Sequence, residues 1–128
     1  MKKYFFSIMI GCTMLSCGSQ NIKTTMDLPK EWKHTTNIYE VNVRQYTKEG
    51  TFKAFEKEMP RLKNMGVKTL WFMPITPIAQ LNKKGSMGSP YAAADYTSIN
   101  PEFGTMEDFK HMVNEAHRLG FKVIIDWV

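Results

Sequence analysis

The chain has 128 residues, 43% hydrophobic and 23% charged, the proportions of an ordinary folded domain and not of a disordered tail. Eight Gly and six Pro are too few for a collagenous or low-complexity segment, and no run of about 18 apolar residues is present to cross a bilayer as a helix. The formal charge of +5 falls to +3 once Lys2 and Lys3 are set aside (15 basic against 12 acidic residues) and the basic residues form no run, so a nucleic-acid partner is not expected.

The opening reads as an export signal. Lys2 and Lys3 form a basic start, residues 4–14 an apolar stretch, and Leu15-Ser16-Cys17-Gly18 a small-residue end. A Cys directly after such a stretch resembles the lipobox of bacterial lipoproteins, in which that Cys is lipidated and becomes the new N-terminus. Cys17 is therefore the expected anchor, with an ordinary signal peptide as the alternative. This implies an exported protein whose contact with the membrane is the lipid alone. Cys12 falls inside the apolar stretch, so the mature domain holds no thiol for a disulfide or a metal. Residues 17–36 are polar and aperiodic, as a flexible tether would be.

Residues 37–43 (N-I-Y-E-V-N-V) alternate, with Ile38, Glu40 and Asn42 on one face and Tyr39, Val41 and Val43 on the other, which predicts a strand. Phe52, Phe55, Met59, Leu62 and Met65 then make a helical stripe that Thr51 caps and Gly66 closes. Pro60 offers no N–H to the carbonyl of Glu56, so a kink or break is expected there. Residues 67–73 (V-K-T-L-W-F-M) suit a strand covered on both faces, ended by Pro74.

After a long loop, Thr105 and Asp108 resemble a capping box with Asp in the usual Glu place, and Phe109, Met112, Val113, Ala116 and Leu119 form the next buried stripe. Gly120 stops that helix, and residues 121–128 (F-K-V-I-I-D-W-V) predict a buried strand carrying one acid, Asp126. The segments L-K-N-M-G-V-K-T-L-W-F and A-H-R-L-G-F-K-V-I-I-D repeat one pattern: a late basic residue, Gly, an apolar residue, Lys and a strand. Strand, helix, strand, helix, strand makes right-handed crossovers in a parallel sheet, either doubly wound or a closed barrel, with sites at the C-terminal ends of the strands. No Gly-rich turn follows the first strand, which disfavours a dinucleotide fold.

The loop over residues 74–104 far exceeds the usual 2 to 6 residues between strand and helix, and loops of that length in compact domains are usually functional. It carries Tyr91, Tyr96 and Phe103, and aromatic faces with polar edges suit sugar rings. Asn100 and Pro101 read as turn residues. His34 falls in the tether, and His111 and His117 are six apart on the helix, so they do not share a face as a metal pair would. Gly85-Ser86-Met87-Gly88-Ser89 lacks the lysine of a phosphate-binding loop.

G-S-P-Y-A-A-A-D-Y-T-S-I-N-P-E-F-G-T, followed by a helix and K-V-I-I-D-W-V, resembles glycoside hydrolase family 13, the α-amylase family. The resemblance runs from Ile38 to Val128 and includes Ile38-Tyr39-Glu40-Val41 on the first strand, Trp71-Phe72-Met73-Pro74 ending the second and Asp126-Trp127-Val128 in the third. It implies an α/β chain that is the N-terminal part, about three βα units, of a (β/α)8 barrel. It also implies that Tyr91 stacks on the sugar at the cleavage subsite, that Asp95 is the acidic residue of the same substrate-binding loop, and that Asp126 supports the site by hydrogen bonding. Packing of the loop is the alternative for Tyr91, and a structural ion pair the alternative for Asp126.

A closed barrel takes ~250 residues, or ~31 per unit, and the resembling stretch has 91 (residues 38–128). The chain is thus expected to be a fragment, inactive alone, of an enzyme cleaving α-glucosidic bonds of starch or maltodextrins with retention. The family's Asp nucleophile, Glu acid/base and second Asp would lie beyond Val128. Glu40, Asp95 and Asp126 do not qualify, since a retaining pair sits ~5 to 5.5 Å apart across one bond. An inactive glucan-binding relative and a transglycosylase or isomerase of the family are the alternatives. Calcium is possible in the full-length protein, through an Asn just past the present end.

Overall fold

The structure, a computed structural model, describes residues 32–127; the signal segment 1–16, Cys17 and the tether up to residue 31 lie outside them. Three strands, β1 (Ile38–Val41), β2 (Thr69–Phe72) and β3 (Lys122–Ile125), form a parallel sheet in chain order. Ile38 stands beside Thr69 and Lys122, and Val41 beside Phe72 and Ile125. The ladder runs one bond further, since Met73 N–H donates to the Val41 carbonyl (3.0 Å) and Asp126 N–H to that of Phe72 (2.8 Å).

All three strands are shorter than the apolar runs that predict them. β1 stops at Val41 because the chain turns at once into a short helix, α1 (Val43–Tyr46), whose Tyr46 N–H reaches the Asn42 carbonyl at 2.9 Å. Alternation does not separate the two conformations here, because Val43 is buried in either.

The expected long helix is two helices, α2 (Phe52–Glu56) and α3 (Met59–Asn64), and the break falls where Pro60 predicts it. Pro60 occupies the first turn of α3, where its missing N–H has no carbonyl to meet. Thr51 Oγ1 accepts from Ala54 N–H (3.3 Å) and caps α2. Gly66, at φ +87°, turns the chain toward β2, as Gly120 at +82° does toward β3. Met65 departs from the predicted stripe: it follows the last turn of α3 and is 60% exposed.

Helix α4 (Met106–Arg118) opens with the predicted capping box: Asp108 N–H donates to Thr105 Oγ1 (3.1 Å) and Thr105 N–H to Asp108 Oδ2 (3.0 Å). That backbone bond, helped by Lys53, holds the Asp108 carboxyl below its usual range, and the Lys53–Asp108 ion pair at 3.1 Å ties α2 to α4.

The helices cover one face of the sheet. Val41, Leu70 and Phe72 are buried there with Phe52, Phe55, Met59, Leu62, Met112 and Ala116, and Phe55 meets Phe72 edge-on at 5.3 Å. The opposite face is open along β1 and β3, where Ile38 and Ile124 are 59% and 41% exposed and Glu40 is exposed, whereas on β2 Thr69 is buried and Trp71 half-buried. β2 is thus largely covered on both sides, as its apolar run predicts, while among the described residues β1 and β3 are covered mainly by the helices on one side.

The last residues assigned to the tether are tied to the sheet. Trp32–His34 forms a 3-10 turn, Thr36 Oγ1 lies 2.8 Å from Thr69 Oγ1, and the Lys68 ammonium donates to the Thr35 carbonyl.

Candidate functional site

The loop between β2 and α4 is fixed at both ends and in the middle. At its start, the Ile75 carbonyl accepts from Asn100 N–H (2.8 Å), and Asn100 turns the chain by accepting from Glu102 N–H (3.0 Å) and Phe103 N–H (2.9 Å). At its end, the Arg44 guanidinium donates twice to Glu102 Oε2 (2.6 and 3.0 Å), and Phe52 N–H donates to the Phe103 carbonyl (2.9 Å). In the middle, Ile78 and Ala93 form an antiparallel bridge, with Ala79 N–H on the Ala92 carbonyl (2.7 Å) and Ala94 N–H on that of Pro77 (2.8 Å). Tyr91 therefore leaves a pinned stretch of backbone.

The Tyr91 hydroxyl donates to Asp126 Oδ2 at 3.0 Å, joining two of the sequence-derived site residues across 35 positions. Asp126 is reachable because it stands one residue past β3, where the sheet ladder ends. The hydrogen bond to Asp126 is the main cause that raises the Tyr91 pKa, followed by desolvation, the Asp126 charge and, last, the charge of Glu40. A narrow cleft of about 10 Å³, room for about one water, adjoins the pair, walled by Pro74, Thr76, Pro90, Ala93, Tyr96 and Trp127. The Tyr96 and Trp127 rings meet at 5.3 Å and 43°. On its other side Tyr91 borders a wider groove with Asn42, Arg44, Met73 and Met87.

Asp95 is not joined to the pair. Its Oδ1 accepts from Thr97 N–H (2.8 Å) and the Thr97 hydroxyl (2.7 Å), and its Oδ2 from the Ser98 hydroxyl. Those bonds, Ser98 first, hold its carboxyl below the usual range. His34 is exposed in the 3-10 turn, His117 is exposed on α4, and His111 faces Glu56 of α2 at 2.8 Å. Among the described residues no three His, Cys, Asp or Glu side chains converge as metal ligands would.

Tyr91 is 44% exposed and anchored at its hydroxyl, so it offers a fixed aromatic face beside a carboxylate. Such a pairing fits a polyhydroxylated ring, which has apolar C–H faces and hydroxyl edges. Sequence reasoning notes Tyr96 only as a loop aromatic and Trp127 only as a strand residue. Their contact is a long-range one for which the local pattern holds no signal.

The family described as Alpha-amylase (alpha amylase, catalytic domain) matches residues 21–128. Among curated proteins, a trehalose synthase of Pimelobacter sp. (strain R48) is 36% identical over 110 residues, 82% of this chain and 18% of the relative. Alpha-amylase 3 of Dictyoglomus thermophilum is 31% identical over 102 residues, 76% of this chain and 19% of the relative. Among solved structures, an alpha-amylase from Lactobacillus plantarum superposes with a TM-score of 0.70 at 47% identity, covering 71% of this chain and 22% of that one. The chain thus spans about a fifth of the length of the curated relatives it matches.

Proposed function

Because the chain belongs to the α-amylase family, we propose that it is the N-terminal section of the (β/α)8 barrel of an exported enzyme acting on α-glucosidic bonds of starch or maltodextrins. In this reading the open sheet face of Ile38, Glu40, Trp71 and Ile124 lines the barrel interior, and the loop carrying Tyr91 lies over its C-terminal mouth. The Tyr91–Asp126 hydrogen bond at 3.0 Å is the observation that carries the reading, because it fixes an aromatic ring at the end of a barrel strand, where such folds place their chemistry.

The Tyr91 ring stacks on the sugar at the cleaved bond, excludes water from it and turns its electron-rich face toward the positive charge that develops on the sugar. Asp126 holds that ring by its hydroxyl. The reacting groups come from residues beyond 128: a carboxylate attacks the anomeric carbon while a carboxylic acid protonates the departing oxygen, and water or another sugar hydroxyl then resolves the glycosyl-enzyme with retention. Calcium remains a possible ligand of the full-length protein, and no step here depends on it. Lys2, Lys3 and the small-residue stretch before Cys17 support export with a lipid anchor at Cys17.

The similarity to a trehalose synthase favours a second reading, an isomerase or transglycosylase on the same site. Following the product of the complete gene on maltoheptaose and maltose by proton NMR separates the two. The hydrolase releases reducing ends that appear first as the α-anomer. An isomerase converts maltose without net release, and first appearance of the β-anomer, or no turnover of either sugar, contradicts the proposal.

A further inference from the structure

We infer that Asp95 is a positioning residue for Tyr91, acting through the turn that it closes and not by touching substrate. The inference rests on the reading of Tyr91 as the sugar-stacking residue. Both Asp95 carboxylate oxygens accept bonds from within their own turn, and Asp95 is not among the residues that wall the cleft beside Tyr91. The bond from Thr97 N–H to Asp95 Oδ1 makes an Asx-turn with Tyr96 at its corner, and this sets the backbone from which the Tyr96 ring leaves. That ring packs on Trp127 at 5.3 Å, and Trp127 follows Asp126, which holds the Tyr91 hydroxyl.

The loop is therefore clamped onto two consecutive residues at the exit of β3, Tyr91 onto Asp126 and Tyr96 onto Trp127. Between its two tyrosines the backbone is held first by the Ile78–Ala93 bridge and then by the Asp95 turn. Without the carboxylate, Tyr96 loses its fixed direction, Trp127 loses its partner, and the Asp126 end of the Tyr91 hydrogen bond is no longer braced.

The test uses the product of the complete gene with Asp95→Ala, Asp95→Asn, Tyr91→Ala and the Asp95→Ala/Tyr91→Ala pair. Asp95→Ala should lower kcat on maltooligosaccharides about tenfold with KM changed by less than about twofold, as misplacement of a stacking group does. Asp95→Asn, which keeps an acceptor for Thr97 N–H, should recover most of the loss. In the Tyr91→Ala background Asp95→Ala should add less than about twofold, because its effect runs through the ring that is gone. Multiplying effects in the double variant, or a loss carried by KM, overturns the inference and makes Asp95 a substrate contact.

Amide hydrogen exchange without substrate supplies an arm independent of activity. Asp95→Ala should speed exchange about tenfold in peptides covering residues 96–98 and also in those covering 124–127. Unchanged exchange over 124–127 overturns the inference. Should the wild type act on no α-glucan, the functional reading fails, and the exchange arm still decides whether Asp95 braces the β3 exit.

Discussion

Replacing Tyr91 by Ala in the product of the complete gene is expected to lower kcat/KM on maltooligosaccharides by about a hundredfold to a thousandfold, while Tyr91→Phe costs about tenfold. The two variants divide the residue into its parts. Phe keeps the ring and loses only the hydrogen bond to Asp126, an interaction between a neutral donor and a partly exposed carboxylate that surrounding water weakens. Ala loses the aromatic face as well, and with it the surface that the proposed function assigns to the sugar. Asp126→Asn should cost less than Tyr91→Phe, since an amide oxygen still accepts the phenol proton, only without the charge.

The pH dependence follows from the raised Tyr91 pKa. A tyrosine gives up its proton at an ordinary pKa of ~10, and the bond to Asp126 raises that value in the folded protein. The stabilisation is therefore complete below the ordinary value and disappears as pH rises through the raised one. An alkaline loss of activity that Tyr91→Phe abolishes would show this bond at work. Equal kinetics of wild type, Tyr91→Phe and Tyr91→Ala would make Tyr91 a residue that only packs its loop.

The second large effect belongs to the core beneath the site. Phe55→Ala should destabilise the domain by about 3 to 5 kcal/mol, a large share of the about 5 to 15 kcal/mol typical of a folded domain. Phe55 is fully buried, with Tyr46 at 4.9 Å on one side and Phe72 at 5.3 Å on the other, both edge-on. Its removal leaves a cavity between α1, α2 and β2 that flanking aromatic rings fill poorly. Met65→Ala, just past the end of α3 and 60% exposed, should change stability by less than about 0.5 kcal/mol. Urea denaturation of the two variants measures the contrast, and equal midpoints would contradict this account of the core.

How far the sequence reveals this structure depends on whether a feature has a local cause. The α2–α3 break at Pro60, the Thr105–Asp108 capping box and the glycine stops at Gly66 and Gly120 each follow from one residue's backbone chemistry, and all are present. The end of β1 is not legible, because Val43 is buried in a strand and in a helical turn alike. The open face of β1 and β3 is legible only through the count of units, since three strands with two helices leave one face of a barrel sheet bare.

The site divides in the same way. Tyr91, Asp95 and Asp126 come to attention through their resemblance to a family motif, and the loop through its length. The motif says nothing of the Tyr96–Trp127 contact or of the three bonds that close the Asp95 turn. These depend on where a loop of some thirty residues touches a strand end far along the chain, and no period or spacing in the sequence encodes that.

The claim that the Tyr91–Asp126 pair marks the sugar-binding wall is tested most directly by amide hydrogen exchange of the complete gene product with and without maltoheptaose. The account predicts slowed exchange in peptides covering residues 89–98 and 123–127, and no change along the outer surface of α4. Protection confined to other parts of the protein, with these two stretches unaffected at saturating sugar, would contradict it.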